Sequence, residues 1–237
     1  MSKKPTRPKV TTRAGQIDHI LSQLSADQLK TFIREKAAMD IEFRDTFLIC
    51  FADLLSSSES AEPKYKQMLT DMMQRHATKD GYIGATQAAP LVNAIQQLLN
   101  AAHKATTPPR ETIDLCLALI SVLPQLIDKM EDVDNHCYNL LRTSCTLLWE
   151  CNSILPEDRQ TELFNRIVKE YGNPLYVEMD MDSFLLSLLK DWAKDKPERQ
   201  AACLHQLENL LKITSSDHWR KNYLLEQTNA LIAFWKR

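Results

Sequence analysis

Apolar residues recur at helical spacing along almost the whole chain. Ile17, Ile20, Leu21 and Leu24 stand at i, i+3, i+4 and i+7, the stripe of a short amphipathic helix. Ser25-Ala26-Asp27-Gln28 then has the form of a capping box: the Ser25 hydroxyl accepts from the third helical amide while Gln28 reaches back. The helix it opens puts Leu29, Phe32, Ile33 and Ala37 on one face, and a third segment, roughly 40–55, carries Phe43, Phe47, Cys50, Phe51, Leu54 and Leu55. Ser56-Ser57-Ser58-Glu59-Ser60 has no core-forming residue and reads as a linker. Pro63 suits the first turn of a helix to about His76, with Tyr65, Met68, Leu69, Met72 and Met73 inward.

The pattern then breaks at Lys79 to Thr86, which holds two of only four glycines. Gly81, Tyr82, Ile83 and Gly84 predict a turn that reverses the chain, packs Tyr82 and Ile83 inward and launches a central helix. Thr86 marks its N-cap region, and Pro90 falls in its first turn if the helix starts near Ala88. Its stripe is Leu91, Ile95, Leu98, Leu99 and Ala102. Pro108-Pro109 ends it and starts a helix from about Arg110 to Met130. Pro124 lacks an amide hydrogen and predicts a kink or break there.

Glu131 to Asp134 supplies acidic residues for the start of a helix through Ile154, and Pro156-Glu157-Asp158 opens another that Gly172 ends. Pro174 to Met181 reads as irregular. Asp182 caps 183–194, Pro197 begins 197–212, and Ser215 or Ser216 caps a last helix. That makes an all-α fold of about ten or eleven antiparallel helices, an α-solenoid-like or irregular helical-repeat array. No strict 34-residue repeat is present. The expected divisions are a basic disordered tail (1–15), an N-terminal helical unit (16–56) and a main array (57–237), the last two also readable as one continuous domain.

Composition supports this reading. Four glycines in 237 residues are few where about 7% is usual, and sheets joined by tight turns consume glycine. The net charge of −2 conceals an asymmetry: Lys3, Lys4, Arg7, Lys9 and Arg13 fall in residues 1–13 with no acid among them. The remaining residues carry 24 basic and 31 acidic side chains, which does not resemble a duplex-binding surface. The basic arm is a candidate for an acidic partner or nucleic acid. The most apolar run, Leu115 to Ile127, is too short to span a bilayer and contains Ser121, Pro124 and Gln125. Six scattered cysteines within apolar segments fit reduced core thiols, and together these features predict a cytoplasmic protein.

Candidate chemistry is sparse. His136, Cys137, Cys145 and Cys151 lie close in sequence, but on one helix Cys137 and Cys145 stand about 12 Å apart along the axis. Tetrahedral zinc requires sulfurs about 2.3 Å from one ion, so no metal site is expected. Glu178 to Asp182 alternates acids as a calcium loop does, yet lacks its turn glycine and has Leu189 at the closing position. Gly81-Tyr82-Ile83-Gly84 matches a KH-type Gly-x-x-Gly clamp without the strands that clamp needs. Nucleophile-elbow, zincin, phosphate-loop and dinucleotide motifs are absent, so neither catalytic residue nor cofactor is predicted.

A family resemblance runs through roughly residues 20–195. Leu24 to Leu29, Met39 to Arg44, Asp80-Gly81-Tyr82-Ile83, Glu131 to Asp134, Leu163-Phe164 and Asp182-Ser183-Phe184 occur in one order. This order resembles the helical region C-terminal to the zinc finger in bacterial SWIM-type zinc-finger proteins. The finger itself, Cys-x-Cys followed by Cys-x-His, is absent, so the resemblance implies only an interaction scaffold and transfers no functional residue.

The expected function is therefore a non-catalytic helical scaffold that binds another protein. Alternatives are an accessory nucleic-acid binder using the basic arm and an enzyme of unrecognised type. On the last helix, Trp219, Tyr223, Ala230, Leu231 and Phe234 form the predicted packed face. Leu225 and Ile232, seven residues apart on the other side, are a candidate interface.

Overall fold

The computed structural model of the protein describes residues 12–51, 54, 60–104, 109–214 and 218–236. Among them are twelve α-helices and no strand. In chain order these are α1 (Arg13–Leu21), α2 (Ala26–Met39), α3 (Ile41–Cys50), α4 (Glu62–His76), α5 (Ala85–Ala102) and α6 (Pro109–Lys129). They are followed by α7 (His136–Asn152), α8 (Glu157–Tyr171), α9 (Pro174–Glu178), α10 (Asp182–Trp192), α11 (Pro197–Ile213) and α12 (His218–Trp235). The chain divides into two compact units between Phe47 and Leu48, inside α3 and ahead of the serine run, whose residues 56–59 lie outside the described ones.

In the first unit the capping box forms as the sequence predicts. The Gln28 amide donates to Ser25 Oγ at 3.2 Å, and the Ser25 amide donates to Gln28 Oε1 at 2.9 Å. Thr12 caps α1 in the simpler way, its hydroxyl accepting from the Gly15 amide. Neither α1 nor α2 buries a residue. Phe43 and Phe47 stack along α3.

The second unit carries the core. Its most enclosed element is α6: from Asp114 to Leu126 all residues but Ser121 and Gln125 are buried, while α5 buries its predicted stripe of Leu91, Ile95, Leu98, Leu99 and Ala102. It packs chiefly on α4 and α7, while α5 contacts α4, α6 and α7. Beyond them α7 packs on α10, α8 on α10 and α11, and α11 on α12.

Pro124 does not break α6. A proline removes the amide that would bond the carbonyl four residues earlier, here that of Ile120. The hydroxyl of Tyr176, fully buried on α9, donates to Ile120 O at 2.5 Å and takes that role. The segment expected to be irregular is thus partly helical, with Tyr176 and Val177 in the core. At the start of α6, the buried Thr112 hydroxyl donates to Ala102 O at 2.7 Å and closes α5.

The turn after α4 also differs from expectation. Gly81 has φ +80°, a conformation suited to glycine, and its amide donates to Thr78 O. Ile83 is buried and exchanges backbone hydrogen bonds with the α6 exit: its amide donates to Lys129 O at 2.8 Å and its carbonyl accepts from the Glu131 amide at 2.9 Å. Tyr82 points outward, 46% exposed, because this short parallel bridge to Met130 turns alternate residues to opposite sides. The helix begins at Ala85 with Gly84 as N-cap, so Thr86 lies within it and Pro90 is interior rather than in the first turn. Glu131 replaces a capping hydroxyl, its Oε2 accepting from the Ala85 amide at 3.2 Å.

Farther along, Asp132 receives the His136 and Cys137 amides at 2.5 and 2.9 Å and caps α7 from outside the helix. Asp182 is the first residue of α10, not its cap, and is completely buried; its two carboxylate oxygens accept from the Tyr223 hydroxyl of α12 at 3.2 and 3.0 Å. Arg199 of α11 is 4% exposed and donates to Trp192 O at 3.1 Å, Thr161 Oγ1 at 2.8 Å and Glu157 Oε1 at 3.2 Å. One planar guanidinium with five donors thereby closes the end of α10 and ties α8 to α11.

Candidate functional site

A cleft in the second unit is lined by residues of α6 and α8, with α6 packed closely on α4 and α8 on α11. Its volume is ≈ 430 Å³. Ile113 and Leu117 of α6 line it together with Leu155 and Leu163, giving an aliphatic floor. Its polar groups are Arg110, Arg159 and Arg166 with Glu62, Asp114 and Glu162.

These charges are arranged, not scattered. Arg159 donates to Glu162 Oε2 at 2.7 Å, one turn away on the exposed side of α8. Glu62 Oε1 receives Arg166 at 2.6 Å and Lys66 at 2.7 Å, so one carboxylate joins α4 to α8. Asp114 accepts the Ala61 amide at 2.7 Å, and burial pushes its carboxyl pKa above the usual range. Tyr65 donates to Glu111 at 2.5 Å; burial first, and that carboxylate second, push its hydroxyl pKa up. Arg166 Nε is buried and has no hydrogen-bond acceptor.

The groups singled out in the sequence fall elsewhere. Gly81, Tyr82, Ile83 and Gly84 form the structural turn described above, away from the arginine-rimmed cleft's lining residues. Lys3, Lys4, Arg7 and Lys9 lie outside the described residues; Arg13 opens α1 and is exposed. On α12 the buried residues are Leu224 and Leu231, with Tyr223 and Trp235 packed against the core. Trp219, expected on the packed face, is 61% exposed, and Ala230 is exposed as well. Leu225 is 41% exposed and Ile232 half-buried. A second apolar surface lies on the first unit, where Ile17, Ile20, Leu21 and Leu24 are all exposed, with Phe32 and Met39 on α2.

The thiols and histidines form no reactive set. Cys116, Cys137, Cys145 and Cys203 are buried, and burial raises every one of their pKa values, to about 12 for Cys145 and Cys203. Among the described residues no three histidine, cysteine, aspartate or glutamate side chains are placed to share an ion. His103 pairs with Glu150 at 3.3 Å beside a smaller cleft of ≈ 240 Å³, and His136 lies 3.7 Å from Asp134. Among the described residues no helix is long and apolar enough to cross a membrane.

Sequence reasoning missed the arginine-rimmed cleft. Arg159 and Arg166 are seven residues apart and share a face of α8, which is legible in the sequence. That Arg110 and the aliphatic floor of α6 stand opposite is decided by helix packing alone.

Compared with known proteins, the chain matches no family model, no curated protein and no solved structure. The resemblance to the SWIM-associated helical region rests on its short motifs.

Proposed function

We propose that the protein is a non-catalytic helical scaffold that binds another protein, and that it does so through the apolar face of its N-terminal helices. One observation carries this reading: the apolar stripe of α1 faces solvent, with Ile17 57%, Ile20 56% and Leu21 48% exposed, and Leu24 just past the helix is exposed too. A nine-residue helix is marginal in water on its own, and its stability comes from what its apolar stripe covers. The usual complement of such a stripe is the stripe of another amphipathic helix. Phe32 and Met39 of α2 are exposed as well.

Other features support the reading. In the second unit, hairpins α4–α5, α6–α7, α8–α10 and α11–α12 each pack internally, and α4–α6, α5–α7, α7–α10 and α8–α11 pack between them. That pattern supports a solenoid-like stack, an architecture whose long faces serve recognition. The order of motifs shared with the SWIM-associated helical region supports a scaffold role, and six free cysteines support a reducing compartment such as the cytoplasm.

The test is affinity capture with the wild type and an Ile17→Glu, Leu21→Glu variant, with circular dichroism on both. The expected result is loss of specifically captured proteins at unchanged helicity. Identical capture by the two proteins sinks the helix-face reading. A second reading, nucleic-acid binding, is favoured by the five basic residues and no acid in positions 1–13. It predicts binding that weakens steeply with salt and disappears when those residues are deleted.

A further inference from the structure

We propose that the cleft between α6 and α8 is a binding site for a carboxylate carried on an aliphatic body, the carboxylate on the arginine rim and the body on the floor of Ile113, Leu117, Leu155 and Leu163. The site is separate from the N-terminal helix face and stands or falls independently of it.

The size and shape of the cleft come from the packing. α6 packs closely on α4 and α8 on α11, and the cleft is lined by residues of both α6 and α8. The resulting ≈ 430 Å³ lies within the range of small-ligand sites. No aromatic side chain lines it, so it offers no stacking surface for a base or ring. Four aliphatic side chains suit a branched or extended hydrocarbon instead.

The sign of the ligand follows from which groups are already engaged. Glu162 is held by Arg159, Glu62 by both Arg166 and Lys66, and Asp114 by the Ala61 amide. A cationic ligand would have to displace one of these partners. An arginine carries five N–H donors, and the contacts to Glu162 and Glu62 leave part of that capacity on Arg159 and Arg166. The Nε of Arg166 is buried beneath the rest of its side chain, so the terminal nitrogens are the donors this arginine turns to the cleft. A doubly charged phosphate would meet three carboxylates at close range, whereas a singly charged carboxylate meets less repulsion and suits the fork of an arginine.

The carboxylate can belong to a peptide or to a short fatty acid, and the experiment separates them. The full-length protein is titrated with octanoate, octanamide, the capped tripeptide Leu-Glu-Leu and its Leu-Gln-Leu counterpart, followed by calorimetry and by the methyl resonances of the cleft. Octanoate or the Glu peptide should bind while the matched amide does not; whichever acid binds more tightly identifies the source. Arg166→Lys keeps a cation for Glu62 but removes the planar fork, and Arg159→Gln changes a mainly exposed side chain; each should weaken binding about tenfold or more. If Arg166→Lys fails to fold, the affinity of Arg159→Gln at an unchanged melting temperature decides between the outcomes. Equal binding of acid and amide, unchanged affinity in the folded variants, or no binding of either acid overturns the proposal.

Discussion

Tyr176 shows how a single hydroxyl can decide the course of a helix. Its bond to Ile120 O replaces the amide that Pro124 lacks, across 56 residues of sequence. Tyr176→Phe leaves that buried carbonyl unsatisfied and should destabilise the protein by about 1–3 kcal/mol. In a Pro124→Ala background the new amide can bond Ile120, so the same change should cost clearly less; equal costs measured by denaturant unfolding would show that the hydroxyl does not substitute for the amide. The proline is visible in the sequence and predicts its usual consequence. The compensating donor is not visible, because nothing local marks a tyrosine in a proline-led loop as a partner for a distant helix.

Helix starts and helix faces test the reading of whole elements. Gly81 has φ +80° with open space where a side chain would stand, so Gly81→Ala pays only for backbone conformation, about 1–2 kcal/mol. Gly84 has φ −70° and sits at the N-cap, so Gly84→Ser should be neutral or stabilising by a few tenths of a kcal/mol. Thermal melts of the two variants shifting equally would contradict this difference. On α12, Leu224 is fully buried and Leu225 is 41% exposed; Leu224→Ala should cost about 2–4 kcal/mol and Leu225→Ala within about 0.5 kcal/mol. The capping box of α2 can be read from four residues because its partners are local. The inward face of α12 cannot, since apolar residues surround that helix and periodicity alone does not choose among them.

At the scale of the whole molecule the fold class is legible, through scarce glycine and continuous helical periodicity, and the neighbours are not. That α6 is the most enclosed helix depends on which helices close over it, which no local pattern encodes. The same packing buries ionisable groups and sets the response to acid. Burial raises the carboxyl pKa values of Asp114, Glu170 and Asp182. Each therefore binds its proton more tightly folded than unfolded, so stability should rise as the pH falls from each raised value towards the ordinary one near 4. Asp40 and Glu157, held low chiefly by hydrogen bonds from Lys36 and Lys196, act in the opposite sense and lose their contribution only as the pH falls below that ordinary value. Melting temperature should consequently pass through a maximum in mildly acidic solution, and Asp114→Asn with Asp182→Asn should flatten its rising limb. A monotonic fall from neutral pH in the wild type would contradict the assignment.

The enclosed cysteines have a kinetic consequence. A thiol reacts as its thiolate, and burial holds the pKa at about 12 for Cys145 and Cys203 and about 11 for the half-buried Cys151. An alkylating reagent in neutral solution should therefore find few targets in the closed core, and labelling of Cys145 on α7 and Cys203 on α11 should await the opening of those helices. Mass spectrometry of the labelled positions over time would turn the native side chains into clocks for local unfolding, one on α7 and one on α11. Rates at Cys145 and Cys203 that coincide would mean the second unit opens as one; a faster Cys203 would mean it peels from the end that Tyr223 and Asp182 hold shut.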